Sequence, residues 1–276
     1  ILDIVLTKRG AGSQSETELA GFPFHSLNLY LPKLVKAGLR VAVCDQLEDP
    51  KKTKKIVKRG VTEIITPGLA TVDGVVNPKS NNFLASLHFA GTVGLSLLDI
   101  STGEFLIAEG DIEYTAKLLD NFSPNEVLIT KENKKHFVKS YSDSFNLFFL
   151  DEWVFNLDYA NDLLKKQFET SSLKGFGIDD LNNGIISSSA IMHYLNETQH
   201  ERLNHITSIK RIPKEGHVWL DRFTIRNLEL FRPNSVEGKC LIDVIDQTLS
   251  PMGGRLLKRW VALPSCDKEV IISRHN

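Results

Sequence analysis

Two β-rich runs, Thr92 to Ile100 and Glu104 to Ala108, are separated by Ser101-Thr102-Gly103, and that punctuation predicts an antiparallel hairpin. Around the hairpin the pattern alternates. A helix is predicted over Ile112 to Asn121 and a strand over Glu126 to Thr130, with further helices near Val154 to Phe168 and Ile185 to Gln199. Paired strands followed by alternating helix and strand imply a mixed α/β sandwich. From Leu203 onward the pattern turns helical. Leu241, Val244, Ile245 and Thr248 recur at helical spacing. Ser250-Pro251 opens another helix, because proline costs little in a first turn. Leu256, Leu257, Trp260 and Val261 are its expected buried face, Pro264 its stop, and Asp267 a cap for one more helix.

Before the hairpin, Ile1 to Leu6 has the composition of a strand, and the polar stretch Ala11 to Leu19 that of a surface loop. Leu27, Tyr30, Leu31, Leu34 and Val35 make one helical stripe, with Ser26 as N-cap and Gly38 as the residue after its C-cap. Pro32 inside that stripe should bend the helix or shift its start. Arg40 to Cys44 is strand-like, and Lys51 to Lys58 is a lysine-dense, solvated connection. The pattern opens in mid-strand at Ile1 and ends in mid-helix after Asp267, which is expected of a truncated piece.

The 276 residues suffice for two domains or parts of three. No apolar run reaches the ~18 residues of a membrane span, and no signal peptide opens the chain. Cys44, Cys240 and Cys266 are too scattered for a disulfide framework or zinc site, which fits a reducing, cytoplasmic setting. The net charge of −1 conceals segregation. Residues 1–60 hold 11 Lys/Arg against 6 Asp/Glu; residues 61–203 hold 10 against 20; residues 204–276 hold 12 against 8. The basic first segment suits phosphate, whereas the acidic middle is a poor surface to lay along DNA.

Three blocks resemble a known family. They are Leu6-Thr-Lys-Arg-Gly10 with Ala20-Gly-Phe-Pro-Phe-His25 and Val41-Ala-Val-Cys-Asp-Gln46; then Thr66-Pro-Gly68 with Leu98-Asp-Ile-Ser-Thr-Gly103; then Ser250-Pro-Met-Gly-Gly-Arg255 with Leu257-Lys-Arg-Trp260 and Leu263-Pro264. In order and spacing they are similar to the N-terminal half of bacterial MutS-type mismatch-recognition proteins. The resemblance implies an α/β multidomain fold. Residues 1–65 would be the later part of the mismatch-binding domain, residues 66–203 an RNase H-like α/β connector, and residues 204–276 the start of a mainly helical core. It also implies duplex DNA with mismatches or small loops, a MutL-type repair partner and a homodimer for the intact protein, with no membrane association. The family's wedge motif would lie before Ile1. Its ATPase, with ATP and Mg²⁺, would lie beyond Asn276, so no enzyme activity and no cofactor are expected of this chain.

By the same resemblance Lys8 and Arg9 fall on the DNA-binding face, and Arg59, preceded by Lys58, aligns with a DNA-facing arginine. Such cations would hold phosphates without reading sequence. Solvated strand-end or linker charges are the plain alternative. Phe22 and Phe24 should anchor their loop by packing, and His25 has no chemical role. Asp99 raises an enzymatic alternative, a metal-dependent RNase H-like nuclease, with Glu104, Glu126, Asp179 and Asp180 as further carboxylates. Turn capping is the simpler role for Asp99. Gly238-Lys239 is not a phosphate loop, because Pro233 and Cys240 stand where Gly and Ser or Thr are required. His193 and His200 lie seven apart, which is wrong for a zinc-protease helix. Small residues at Met252-Gly253-Gly254 serve close helix packing more readily than anion binding.

Overall fold

The computed structural model describes residues 1–9, 16–49, 56–70, 77–141, 144–198, 203–235 and 237–275, with the side chains of Arg9 and Arg222 outside the described set. The chain divides into two compact units, Ile1–Val76 and Asn77–Asn276.

The first unit holds two small sheets and a helix. Strand β1 (Leu6–Arg9) pairs antiparallel with β2 (Thr17–Ala20), with Lys8 opposite Glu18 and Arg9 opposite Thr17. The end of the polar stretch is therefore a strand and not loop, because β1 gives its backbone groups a partner. Residues 10–15 lie outside the described residues. Helix α1 (Leu27–Lys36) follows a short 3-10 turn at Phe24–Ser26. Ser26 stands at the N-cap position but its side chain makes no capping bond, since the preceding turn already continues into the helix. Pro32 sits within the helix, buried, where its missing N–H forgoes the bond to the carbonyl four residues back. Gly38 ends the helix as expected. At φ +80° its N–H bonds Val35 and the next N–H bonds Leu34, the paired bonds of a Schellman motif. Leu31 and Val35 pack with Ile65 and Ala70 under Leu27, Val41 and Val43. Val41 and Val43 belong to β3 (Val41–Gln46), which pairs antiparallel with β4 (Arg59–Ile65).

The second unit is built on a six-stranded sheet. The predicted hairpin is present as β6 (Thr92–Asp99) and β7 (Glu104–Gly110). Beside it lies β5 (Phe83–Ala90), a strand that the pattern did not announce. Both its faces are covered, so Phe83-Leu-Ala-Ser-Leu87 is buried throughout and apolar but for Ser86, without a solvent-facing polar alternation. Helix α2 (Ile112–Phe122) leads to β8 (Glu126–Thr130), parallel to β5. Helix α3 (Lys134–Ser140) and β9 (Leu147–Leu150), parallel to β8, were likewise unannounced. Helices α4 (Leu157–Gln167) and α5 (Asn182–Glu197) follow, and a two-residue strand β10 (Lys210–Arg211) closes the other edge against β7. The order β10-β7-β6-β5-β8-β9 places the antiparallel trio β7-β6-β5 between the parallel pairings of β8 and β9 on one side and of β10 on the other.

Alternation along β5 and β6 sorts the two faces. Phe83, Ala85, Leu87, Val93, Leu95 and Leu97 join Leu118, Leu119 and Phe137 in one core. The other face carries α5, eleven of whose sixteen residues are buried, so that helix is covered nearly all round. Its three consecutive serines are tolerated there because Ser187, Ser188 and Ser189 each bond a carbonyl three or four residues back. Gly94 lets α5 approach: a Cβ there would meet the Asn183 backbone at 2.0 Å.

The remaining helices are α6 (Arg222–Asn227), α7 (Leu241–Ile245), α8 (Pro251–Ala262) and α9 (Lys268–His275). Ser250 and Asp267 cap α8 and α9 as predicted. The expected apolar face of α8 is only partly formed. Leu256 is exposed, whereas Leu257, Trp260 and Val261 are half-buried. Polar groups bind this helix to its neighbours: Arg255 donates to the Pro78 carbonyl at 2.6 Å, Lys258 to Ser80, and Arg259 to Glu104.

Candidate nucleic-acid interface

Among the basic candidates of the first unit, Lys8 and Arg9 lie in β1, Lys58 just before β4 and Arg59 at its start, and the side chains of Lys8, Lys58 and Arg59 are exposed. Lys8 is exposed in β1, and its Nζ lies 2.5 Å from Glu16 Oε1. Arg9 ends the same strand; its side chain lies outside the described residues. Lys58 is exposed and 3.7 Å from Glu48, while its carbonyl accepts from the Leu47 N–H at 2.9 Å. Arg59 is not linker but the first residue of β4, held opposite Gln46. Strand β3 supplies its backbone partner, and residues 51–55 of the basic connection lie outside the described residues.

The four candidates fall on two separate two-stranded sheets, Lys8 and Arg9 on one and Lys58 and Arg59 beside the other. Both lysines have a carboxylate neighbour, so each must exchange one anion for another to hold a phosphate. Arg59 is exposed and, among the described residues, carries no such pair. Lys33 and Lys36 on the solvent side of α1 were not singled out. The signal that finds them is the apolar stripe itself, which assigns the positions between its members to solvent. Phe22 packs as expected, its ring 4.4 Å from that of Tyr30. Phe24 does not: it is 77% exposed, because the 3-10 turn carries it away from α1.

Asp99 is fully buried at the hairpin turn, where its carboxylate accepts from the Ser101 N–H and hydroxyl at 2.9 and 2.6 Å. The other oxygen accepts from Asn81 Nδ2 at 2.7 Å and from the Asn82 N–H at 3.3 Å. Its lone pairs are committed to the turn. The other carboxylates are dispersed. Glu104 is neutralised by Arg259, Glu126 is buried against the Tyr194 hydroxyl at 2.6 Å, and Asp180 pairs with Arg211 at 2.9 Å. Among the described residues no group of three or more His, Cys, Asp or Glu could hold a metal ion. The convergence that two-metal cleavage needs is not formed. His193 instead accepts or donates to the Tyr159 hydroxyl at 2.9 Å, and His200 lies outside the described residues. Gly254 packs closely, a Cβ there meeting the Lys79 stem at 2.9 Å, which is the use foreseen for that small residue.

The structure is that of a mixed α/β protein in two units, with its strand-end cations in the first and a doubly covered sheet in the second. Family models match three successive parts: MutS domain I over residues 1–74, MutS domain II over 82–207 and MutS domain III over 223–276. The chain is 60% identical over 276 residues to the DNA mismatch repair protein MutS of Flavobacterium psychrophilum, covering 100% of this chain and 32% of that protein. It is 56% identical over 265 residues, 96% of its length, to that of Cytophaga hutchinsonii, of which it covers 31%. The chain belongs to the MutS family of DNA mismatch repair proteins. It spans about a third of the length of the curated relatives it matches.

Proposed function

We propose that this chain contributes the DNA-holding and connecting parts of a mismatch sensor. The first unit grips the duplex backbone, with Arg9 and Arg59 as the principal contacts and Lys8 and Lys58 beside them. The observation that carries this reading is the match of residues 1–74 to MutS domain I, combined with exposed cations at the strand ends of that region. Phosphate contacts suit a scanning protein, because they position it on any duplex. Discrimination then comes from deformability, since a mispaired site bends at lower cost than a matched one.

The domain II region links this grip to the helical domain III region and offers the docking surface for a MutL-type partner. In the whole protein, a cytoplasmic homodimer, mismatch binding is coupled to ATP and Mg²⁺ in a domain other than the three matched here. The chain itself then acts by binding and not by catalysis.

The test is a titration against matched and mismatched duplexes at two salt concentrations. Weak binding with little mismatch preference is expected. Four phosphate contacts lower affinity about 10²-fold between about 50 and about 200 mM salt. Arg9→Gln with Arg59→Gln should reduce the slope of log K against log salt by about 2, at about 0.9 per phosphate. An unchanged slope, or a strong mismatch preference, would overturn this reading.

A further inference from the structure

The domain II region is acidic as a whole, yet one element departs from it. Residues 61–203 carry a net −10, to which residues 131–139 contribute +3, from Lys131, Lys134, Lys135 and Lys139 against Glu132 alone. The rest of the segment is therefore at −13, and its cations are gathered to an unusual degree on α3 and the turn before it. All four lysines are exposed, and so is His136.

The fold explains why they face outward together. Phe137 is fully buried and stacks on Tyr141, with ring centroids 4.9 Å apart, and this fixes the rotation of α3 on the core. Lys135 and Lys139, four residues apart, then lie on the side opposite Phe137. Lys134 extends over the Phe149 ring, 5.8 Å from its centroid, and His136 meets the Phe89 ring edge at 5.0 Å. Both contacts hold a polar side chain at the surface without neutralising it.

Four lysines elsewhere have a carboxylate partner: Lys8 with Glu16, Lys58 with Glu48, Lys79 with Asp246, and Lys117 with Glu113. Among the described residues, none of the four lysines at 131–139 has a carboxylate partner. Four unpaired cations within nine residues repel one another, and an extended polyanion relieves that cost while releasing its own counterions.

We propose that the α3 face, Lys131, Lys134, Lys135 and Lys139, is a second phosphate-binding surface, which holds the sugar-phosphate backbone of a duplex at a point separate from the grip of the first unit. The occupant is nucleic acid and not a mononucleotide, because the patch is a row of exposed point charges spread along the turn and α3, which suits an extended chain of phosphates. Lysine, a compact cation on a flexible stem, fits sequence-independent holding of a moving backbone. The acidic remainder of the region confines that backbone to this stripe. The proposal rests on the reading that the chain binds duplex DNA.

The test uses the 276-residue chain with Lys131, Lys134, Lys135 and Lys139 all changed to Gln, and a milder Lys135→Gln, Lys139→Gln variant at two exposed positions. A third variant carries Arg9→Gln with Arg59→Gln. Each is titrated with a matched duplex across salt concentrations, with polyglutamate as a competing ligand, after its thermal transition is shown to match that of the parent. The quadruple variant should lower the magnitude of the salt slope by about 0.9 for each phosphate no longer neutralised, and the double variant by about half as much. Equal slopes for parent and both α3 variants would overturn the proposal. So would loss of polyglutamate binding alone, which would assign the face to an acidic protein segment. A reduced slope in the α3 variants beside an unchanged one in the Arg9 and Arg59 variant would uphold this surface while refuting the grip of the first unit.

Discussion

Gly94 and His88 show how tightly the helix-covered face of the sheet is specified. The two stand opposite each other in the β5–β6 register. A methyl group at Gly94 would sit 2.0 Å from both the carbon and the oxygen of the Asn183 carbonyl, and 2.5 Å from the Gly184 nitrogen. These are backbone atoms at the start of α5, so the helix itself would have to move. Overpacking of this kind costs about 1–3 kcal/mol, and more where backbone must shift. Gly94→Ala should lower the denaturant midpoint accordingly, and a variant as stable as the parent would show that α5 can slide freely on the sheet. His88 has its Nδ1 buried with no hydrogen-bond partner among the described residues, and its ring stacks on Phe155. Burial pushes its pKa below the ordinary value of 6.5, partly offset by the Glu109 charge. The unfolded chain therefore takes up a proton at His88 more readily than the native one. Stability from this residue is present above the unfolded pKa of about 6.5 and declines as pH falls toward the native value. His88→Phe keeps the ring and removes the proton. Its stability relative to the parent should improve as pH falls from about 7.5 to about 5.5, whereas a constant difference would refute the assignment.

At the scale of elements, the start of α5 depends on one side chain from the sheet. Helix α5 has no side-chain N-cap of its own. Glu109 on β7 supplies it, with Oε2 accepting from the Asn183 and Gly184 N–H groups at 2.9 and 3.1 Å and Oε1 from the Thr92 hydroxyl at 2.7 Å. A carboxylate there also complements the helix dipole. Glu109→Ala should cost about 0.5–2 kcal/mol, the range of a lost cap, with faster amide exchange concentrated in the first turn of α5. Such a cap comes from 74 residues away and leaves no local trace. The elements that were legible carry their own punctuation: the hairpin from Ser101-Thr102-Gly103, α8 from Ser250-Pro251, and the end of α1 from Gly38. Those that were not, β2, β5 and β9, are defined by partners. Strand β5 hides its period because both faces are buried, and β2 is exposed throughout and becomes a strand only against β1. The same division holds at the candidate interface. The strand expected over Ile1 to Leu6 instead runs from Leu6 to Arg9 and takes Lys8 and Arg9 into it, because pairing with β2 decides its extent; the pairing of Arg59 and the burial of Phe137 that aligns the α3 lysines likewise needed tertiary contacts.

For the second unit as a whole, the sheet and α8 are held by different forces, and solution conditions should separate them. Helix α5 is fixed by apolar burial. Helix α8 buries only Gly254 and Ala262 completely and is tied by Arg255, Lys258 and Arg259 to Pro78, Ser80 and Glu104. Lys79 extends the seam, donating to Asp246 at 3.2 Å and to the Thr248 carbonyl at 2.7 Å. These groups are partly exposed, so each ion pair contributes no more than about 1 kcal/mol, and together they act as a network open to screening. Raising ionic strength from about 0.1 to about 1 M shortens the Debye length from about 10 to about 3 Å. Amide exchange in α8 should then accelerate while that in α5 stays constant, and an equal response in both helices would refute a charged seam. Acid gives an independent check. Hydrogen bonds from the Thr248 hydroxyl and N–H, with the Lys79 ammonium, hold the Asp246 carboxyl at about 2. A depressed native pKa contributes stability above the unfolded value of about 3.9, and that stability is lost as pH falls toward about 2. Asp246→Asn should therefore exchange faster than the parent in α8 at neutral pH and converge with it near pH 2, while a gap that persists unchanged through that window would show that the carboxylate does not carry the seam.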